Sequence, residues 1–354
     1  MELEPTVHDT LTQRHLLPGI PPPEVLAAWP AGTVEATYAR GCLLAGAVGD
    51  ALGRPAETKR PSVIAERYGR IRDFMPWWGW KSGPIGTFTD DTQLTLWTAE
   101  SLLADDAAHQ ELFAATLAEH RSDIRGIGFA TDDAIDRLQQ GVPWHQSGSR
   151  SAGNGAAMRA APIGIACGHD LAALRQVAAL NAVVTHADPL AVASTIVQAS
   201  AVAYLLVTPP GSLEPRRFLD WLVAGAADLH DPGHRERRDG TDDTLVRLVD
   251  RIAELGPMLG LEPRQAFAHT YNGAFVLESL PAAIWSFLHH PEDLEEAICT
   301  AVAGGYDADT VAAMCGNLAG AYLGEAAIPQ RWLDELEDAD HIASLAENLL
   351  ALRR

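Results

Sequence analysis

The sequence predicts an all-α protein, and three observations carry the prediction. Alanine is abundant and continuous β-branched runs are scarce, which favours helix over sheet. Apolar residues recur at i, i+3, i+4 and i+7 through most of the chain after residue 33. Pro and Gly mark most of the breaks between these runs. Hydrophobic residues make up 47% of the 354, enough for a sizeable core, and neither an internal repeat nor a domain boundary is visible. A Pro-rich N-terminal arm over 1–32 (LPGIPPPEVLAAWP), extended or lid-like, followed by one helical domain over 33–354, fits best.

The first helix begins near Thr33, and its Gly41, Ala45, Gly46 and Gly49 permit close approach of another helix. From Gly53 to Gly86 the composition shifts to prolines, glycines, Phe74, Trp77, Trp78 and Trp80, which read as a long structured loop. Helical periodicity then places helices at about 91–104, 107–121, 127–140, 155–167, 171–184, 188–207, 214–229, 242–255, 277–289, 293–303, 310–323 and 331–351. The most polar stretch, HDPGHRERRDGTDD at 230–243, reads as a solvated surface loop.

Net charge is −21. So acidic a surface repels nucleic-acid phosphates and anionic lipid and argues against either as the main partner. Cys42, Cys167, Cys299 and Cys315 are far apart, without CxxC spacing, and read as free thiols in a reducing compartment. The acidic start MELEPTVHDT is unlike a secretory signal, and no apolar run reaches membrane-spanning length. A cytoplasmic protein is expected.

Two segments carry the chemistry. In GTFTDDTQ (86–93), Thr89, Asp90 and Asp91 stand just before an apolar helix. Taken alone they read as a helix cap, with Asp90 and Gln93 resembling a capping box. In GGYDADTVAAMCGNLAGAYLG (304–324), Asp307, Asp309 and Thr310 repeat the arrangement. Both helices are apolar on nearly every side, so these carboxylates should be buried, and no Lys or Arg within either segment pairs with them. If the two helix starts face each other, four carboxylates and two hydroxyls converge. Hard divalent cations offset their repulsion: Mg²⁺, Mn²⁺ or Ca²⁺ rather than zinc, in a binuclear centre.

Three further stretches stand out. GDALGRPAE (49–57) ends the first long helix with Asp50 and Glu57, which also reads as a simple break at Gly53. SAGNGAAMR (151–159) is a glycine-rich loop opening a helix; it is an ordinary turn or a phosphate cradle. His186, in VTHADP, lies at a break between two apolar helices, where a lone His is more often structural.

With all five stretches in this order, the chain resembles the ADP-ribosylglycohydrolase family, the group that includes the dinitrogenase reductase-activating glycohydrolase. The resemblance covers nearly the whole chain after about residue 35. It implies an orthogonal multi-helix bundle with two Mg²⁺ ions in a central cleft. It implies that Thr89, Asp90, Asp91, Asp307, Asp309 and Thr310 are the metal ligands, and that Glu57 lies near the metals. The loop holding Ser151, Gly153, Asn154 and Gly155 would cradle the ADP-ribose phosphates and ribose, with His186 at the same cleft. Tyr306 is interposed where many relatives read GGDTDT. Ala152 replaces an aromatic residue of some relatives, which leaves adenine stacking to the Trp77–Trp80 loop or the Tyr271–Phe275 region.

The implied activity is removal of ADP-ribose from an ADP-ribosylated protein or small molecule, arginine being the first acceptor to consider. Glu57, Asp91 or Asp309 would act as general base toward a water, since no Ser–His–Asp or Cys–His pattern competes. The alternative is a non-catalytic ADP-ribose binder or sensor of the same family. A terpenoid-synthase-type diphosphate enzyme needs DDxxD, and Leu94 occupies the third acidic position.

Overall fold

A computed structural model describes residues 3–76, 84–105, 107–236 and 244–353. Trp77, Trp78 and Trp80 lie outside the described residues, as does the second half of the polar stretch at 230–243. The protein is all-α, with one short antiparallel strand pair among the described residues.

The N-terminal segment is helical where an extended arm was expected. It holds α1 (Pro5–Gln13) and α2 (Pro23–Ala27), each started by a proline whose missing N–H would be unpaired there anyway. Leu11 and Leu16 are fully buried, and Trp29 Nε1 donates to Gly168 O at 3.0 Å. No described residue of this segment lines the cleft presented below.

Three helices are apolar on nearly every side, as central helices must be. The first is α3 (Ala36–Gly53). After α4 (Pro61–Tyr68) come α5 (Asp90–Ala104), α6 (His109–Glu119), α7 (Phe129–Gln139), α8 (Trp144–Ser147), α9 (Ala161–Cys167) and α10 (Leu171–Val183). The second central helix is α11 (Pro189–Leu205), capped by Asp188 and buried from Leu190 to Ala203. Then follow α12 (Pro215–Ala226), the antiparallel pair β1 (His234–Glu236) and β2 (Thr244–Val246), α13 (Leu248–Met258), α14 (Pro263–Thr270), α15 (Val276–His289) and α16 (Leu294–Ala303). The third is α17 (Ala308–Leu323), buried from Ala308 to Tyr322. The chain ends in α18 (Gln330–Leu333) and α19 (Ala339–Leu350). In β1–β2, His234 faces Val246 and Arg235 faces Leu245.

The bundle turns on α3 against α17. They run antiparallel at a distance that only glycine permits. A Cβ on Gly49 would lie 2.1 Å from Ala312 O, and one on Gly53 would lie 2.4 Å from Asp309 Cα. A Cβ on Gly316 would lie 2.1 Å from Ala45 O. This contact brings the C-terminal end of α3 to the N-terminal start of α17, and α11, α15 and α16 close around α17.

Several expected boundaries moved for identifiable reasons. The stretch around Pro61 reads as a loop and no helix is expected around Pro263, yet both prolines begin helices, α4 and α14. The expected helix 331–351 is split into α18 and α19 around Asp338, whose φ is 52°. The expected helix 155–167 starts at Ala161, because residues 155–160 form a turn, and the one expected at 242–255 starts at Leu248.

Candidate metal centre and substrate cleft

The acidic stretch that opens α5 does not cap its own helix. Thr89 is the N-cap but makes no side-chain cap bond. The carboxylate of Asp50, fully buried on α3, takes that role from outside. It accepts from Thr89 N at 3.1 and 3.0 Å, Thr89 Oγ1 at 2.8 Å, Thr92 N at 3.0 Å and Thr92 Oγ1 at 2.7 Å. The Asp90/Gln93 capping box is absent too. Gln93 Oε1 accepts from Arg125 N at 2.8 Å, and Asp90 N donates to Arg125 O at 2.8 Å. Asp90 and Asp91 are thereby released from capping, and both stay buried.

The start of α17 is built in a similar way. Asp307 N donates to Asn272 O at 2.8 Å, and the Asp307 carboxylate accepts from Asn154 Nδ2 and the Thr310 hydroxyl. Asp309 and Thr310 are buried beside it. Because α3 and α17 touch backbone to backbone, their acidic ends coincide. Carboxylate oxygens of Asp50, Asp91 and Asp309 lie within 4.8 Å of one another, as do those of Glu57, Asp307 and Asp309. Asp309 belongs to both groups.

So much negative charge in so little water shifts the clustered aspartates. Asp90, Asp91 and Asp309 are held well above the usual carboxylate range, by burial first and by neighbouring carboxylates next. Burial also raises Asp50 and Asp307, against the opposing pull of their hydrogen bonds. Arg54 pairs with Glu57 and lies 3.7 Å from Asp309 Oδ2. One buried oxygen, Asp91 Oδ1, has no hydrogen-bond partner among the described residues. An all-oxygen set with an orphaned carboxylate atom fits a hard divalent cation.

These groups open into a cleft of about 370 Å³. Glu57, Asp90, Asp91, Asp307, Asp309 and Thr310 line it together with Ser151, Gly153, Asn154, Gly155 and His186. The loop from Ser151 is pinned to the start of α15, with Asn154 N donating to Ala274 O at 3.0 Å and Val276 N to Ala152 O at 3.0 Å. Gly153 N donates to Ser151 Oγ at 3.2 Å. His186 is buried against this loop, and burial, then the charge of Arg159, lowers its basicity to about 3. A larger and mostly apolar cavity of about 670 Å³, bordered by Phe267, Tyr271, Asn272 and Tyr306, lies off the cleft and contains none of the clustered acids.

Four features escaped the sequence reading. Asp50 was noted only as a polar group, since its partners lie 39 and 42 residues away. Arg54 sits outside both acidic segments. Phe129 fell within the expected helix 127–140 without comment, yet it is 95% exposed and borders the cleft. Arg159 closed the glycine-rich motif without a role. The conjunction of Asp50 with Glu57 at the end of an all-apolar helix was the signal available.

The chain is similar to known proteins over most of its length. The ADP-ribosylglycohydrolase family profile matches residues 34–354. An uncharacterised protein of Archaeoglobus fulgidus is 33% identical over 88% of this chain and 96% of its own length. ADP-ribosylhydrolase ARH3 of Gallus gallus is 28% identical over 88% of this chain and 92% of its own. ADP-ribosylarginine hydrolase Tri1 of Serratia proteamaculans is 26% identical over 88% of this chain and 78% of its own. A solved structure named ADP-ribosylglycohydrolase-related protein complex superposes with a TM-score of 0.71 at 30% identity, covering 90% of this chain and 99% of that one.

Proposed function

The chain belongs to the ADP-ribosylglycohydrolase family, and on that premise we propose that it is a magnesium-dependent hydrolase cleaving the glycosidic bond between ADP-ribose and a modified acceptor, ADP-ribosyl-arginine first. The observation that carries the reading is the pair of carboxylate groups sharing Asp309, with Asp91 Oδ1 left without a hydrogen-bond partner among the described residues. The name of the Serratia relative supports arginine as the acceptor. The ligands in this reading are Thr89, Asp90 and Asp91 from the start of α5, and Asp307, Asp309 and Thr310 from the start of α17. Bound there, two Mg²⁺ ions, or Mn²⁺ in their place, supply Lewis acidity and an acidified water.

The chain's own groups do the rest. Cleavage at the ribose anomeric carbon develops positive charge on the sugar, which the ring of carboxylates stabilises. Glu57, at the cleft edge and steered by Arg54, takes the proton of the attacking water as general base; Asp91 and Asp309 hold the reacting end in place. Ser151, Gly153, Asn154, Gly155 and His186 hold the diphosphate and ribose. Phe129 covers a flat group of the substrate at the mouth. Attack is by water rather than by a protein thiol: burial pushes Cys42, Cys299 and Cys315 well above the range in which a thiolate forms. Four free cysteines suit a reducing compartment, so we assign the protein to the cytoplasm. No helix among the described residues is long and apolar enough to cross a membrane.

The test is release of free ADP-ribose from ADP-ribosylated arginine, serine and small-molecule substrates, with Mg²⁺ or with EDTA. Wild type is expected to turn over the arginine conjugate only with the metal present. Asp309→Asn should lose at least about a hundredfold in kcat while keeping its helical circular dichroism. Binding of ADP-ribose without turnover of any substrate would replace the hydrolase with a sensor.

A further inference from the structure

We propose that Arg159 and Thr185 are positioning residues that fix His186 as its Nε2–H tautomer, so that the cleft presents a hydrogen-bond donor to an acceptor-only oxygen such as that of a diphosphate. Arg159 is fully buried and paired with no carboxylate among the described residues. Its guanidinium donates from Nε to Asn181 Oδ1 at 2.8 Å and from Nη1 to Gly155 O at 2.7 Å. From Nη2 it donates to Asn181 O at 2.9 Å and to Thr185 Oγ1 at 2.9 Å. The ring of Phe113 lies 4.7 Å from its central carbon. A guanidinium has donors and no acceptor, so Thr185 Oγ1 must accept from it.

The Thr185 hydroxyl proton then needs an acceptor. His186 Nδ1 lies 2.8 Å away. If Nδ1 carried the proton and donated to Thr185, the fully buried hydroxyl would have two donors pointed at it and no described acceptor for its own proton. The one arrangement that satisfies all three groups runs Arg159 to Thr185 to His186, with Nδ1 bare and the proton on Nε2. The imidazole edge that carries Nε2 faces the glycine-rich loop. A Cβ on Gly153 would come within 3.4 Å of Nε2, and a Cβ on Gly155 within 2.7 Å of Cε1. The missing methyls let this loop lie against the ring, and His186, 3% exposed, lines the cleft together with Gly153 and Gly155. Arg159 holds the loop as well, through Gly155 O, so one buried cation sets both the loop and the ring. Its charge also opposes an imidazolium, and the ring stays neutral. The recognition rests on the proposed cleft; the tautomer does not.

The experiment reads the tautomer directly. Long-range ¹⁵N–¹H correlation spectra of the uniformly labelled protein, with His186 assigned by its disappearance in His186→Gln, are expected to show Nε2–H in wild type and in Thr185→Ser. Thr185→Val, nearly the same size and without the hydroxyl, should move the proton wholly or partly to Nδ1. In the same buffer with Mg²⁺, calorimetric titration with ADP-ribose should show about a tenfold higher Kd for Thr185→Val and less than about twofold for Thr185→Ser. An Nδ1–H tautomer in wild type overturns the proposal, as does a Thr185→Val protein with unchanged tautomer and Kd. If no form binds ADP-ribose, the substrate reading fails, and the spectra alone decide the positioning role.

Discussion

Asp50 explains why the paired acids that open α5 are free to do chemistry. A helix start leaves N–H groups unpaired, and the Thr-Asp-Asp-Thr stretch would ordinarily consume its own side chains satisfying them. Here a carboxylate from α3 accepts from both the backbone and the hydroxyl of Thr89 and of Thr92. Asp90 and Asp91 are left for the cleft. Asp50→Asn keeps the volume but turns an NH₂ group toward groups that only donate or prefer to. We expect Mg²⁺ affinity to fall by about 10–100-fold, the usual loss when a group supporting metal ligands is altered. Calorimetric titration with Mg²⁺ checks it, and an unchanged Kd would remove Asp50 from the site. The carboxylate–carboxylate–hydroxyl pattern was readable in the sequence because chemistry of that kind sits in a few consecutive residues. Asp50 and Arg54 were not, because their roles depend on which helix end packs against which.

That packing is decided by α3 and α17, and their glycines are where it can be tested. Gly49→Ala improves helix propensity by about 1 kcal/mol in isolation. In the bundle, the new methyl would meet Ala312 O at 2.1 Å, a backbone atom that cannot rotate away. Overpacking should win, with a net destabilisation of about 1–3 kcal/mol by denaturant titration and a weaker metal site, since Asp50 is the next residue. Gly225→Ala on α12 is the control: nothing lies within 4 Å of its Cβ position, so the propensity gain should stand unopposed. Equal midpoint shifts for the two variants would refute the close-contact argument. Long apolar helices such as α10, α11 and α17 were legible because length and composition agree. The helices α4 and α14 were not, because proline marks a break and a first helical turn with the same letter. The left-handed Asp338 that splits α18 from α19 leaves no apolar signature at all.

The balance of charge over the folded chain makes stability, metal and pH a single problem. Asp50, Asp90, Asp91, Asp307 and Asp309 all have raised pKa values in the fold. Without a cation, the folded protein therefore binds more protons than the unfolded chain once pH exceeds the ordinary carboxylate value of about 3.9. Stability must fall as pH rises from there through the raised values. A divalent cation binds the deprotonated carboxylates and not the unfolded chain. Its stabilisation grows over the same interval and reaches about 2.7 kcal/mol at a hundredfold excess over Kd. The Tm difference between Mg²⁺ and EDTA should be small near pH 5 and largest above pH 7, and it should flatten in an Asp91→Asn/Asp309→Asn double variant. His186 adds a slope of opposite sign: its folded value of about 3 lies below the unfolded 6.5, so its neutral burial costs stability progressively below pH 6.5. That slope is common to both buffers and cancels in the difference, which isolates the carboxylates. A Mg²⁺-minus-EDTA difference that stays constant from pH 5 to 8 would mean that these acids are not the groups the cation neutralises.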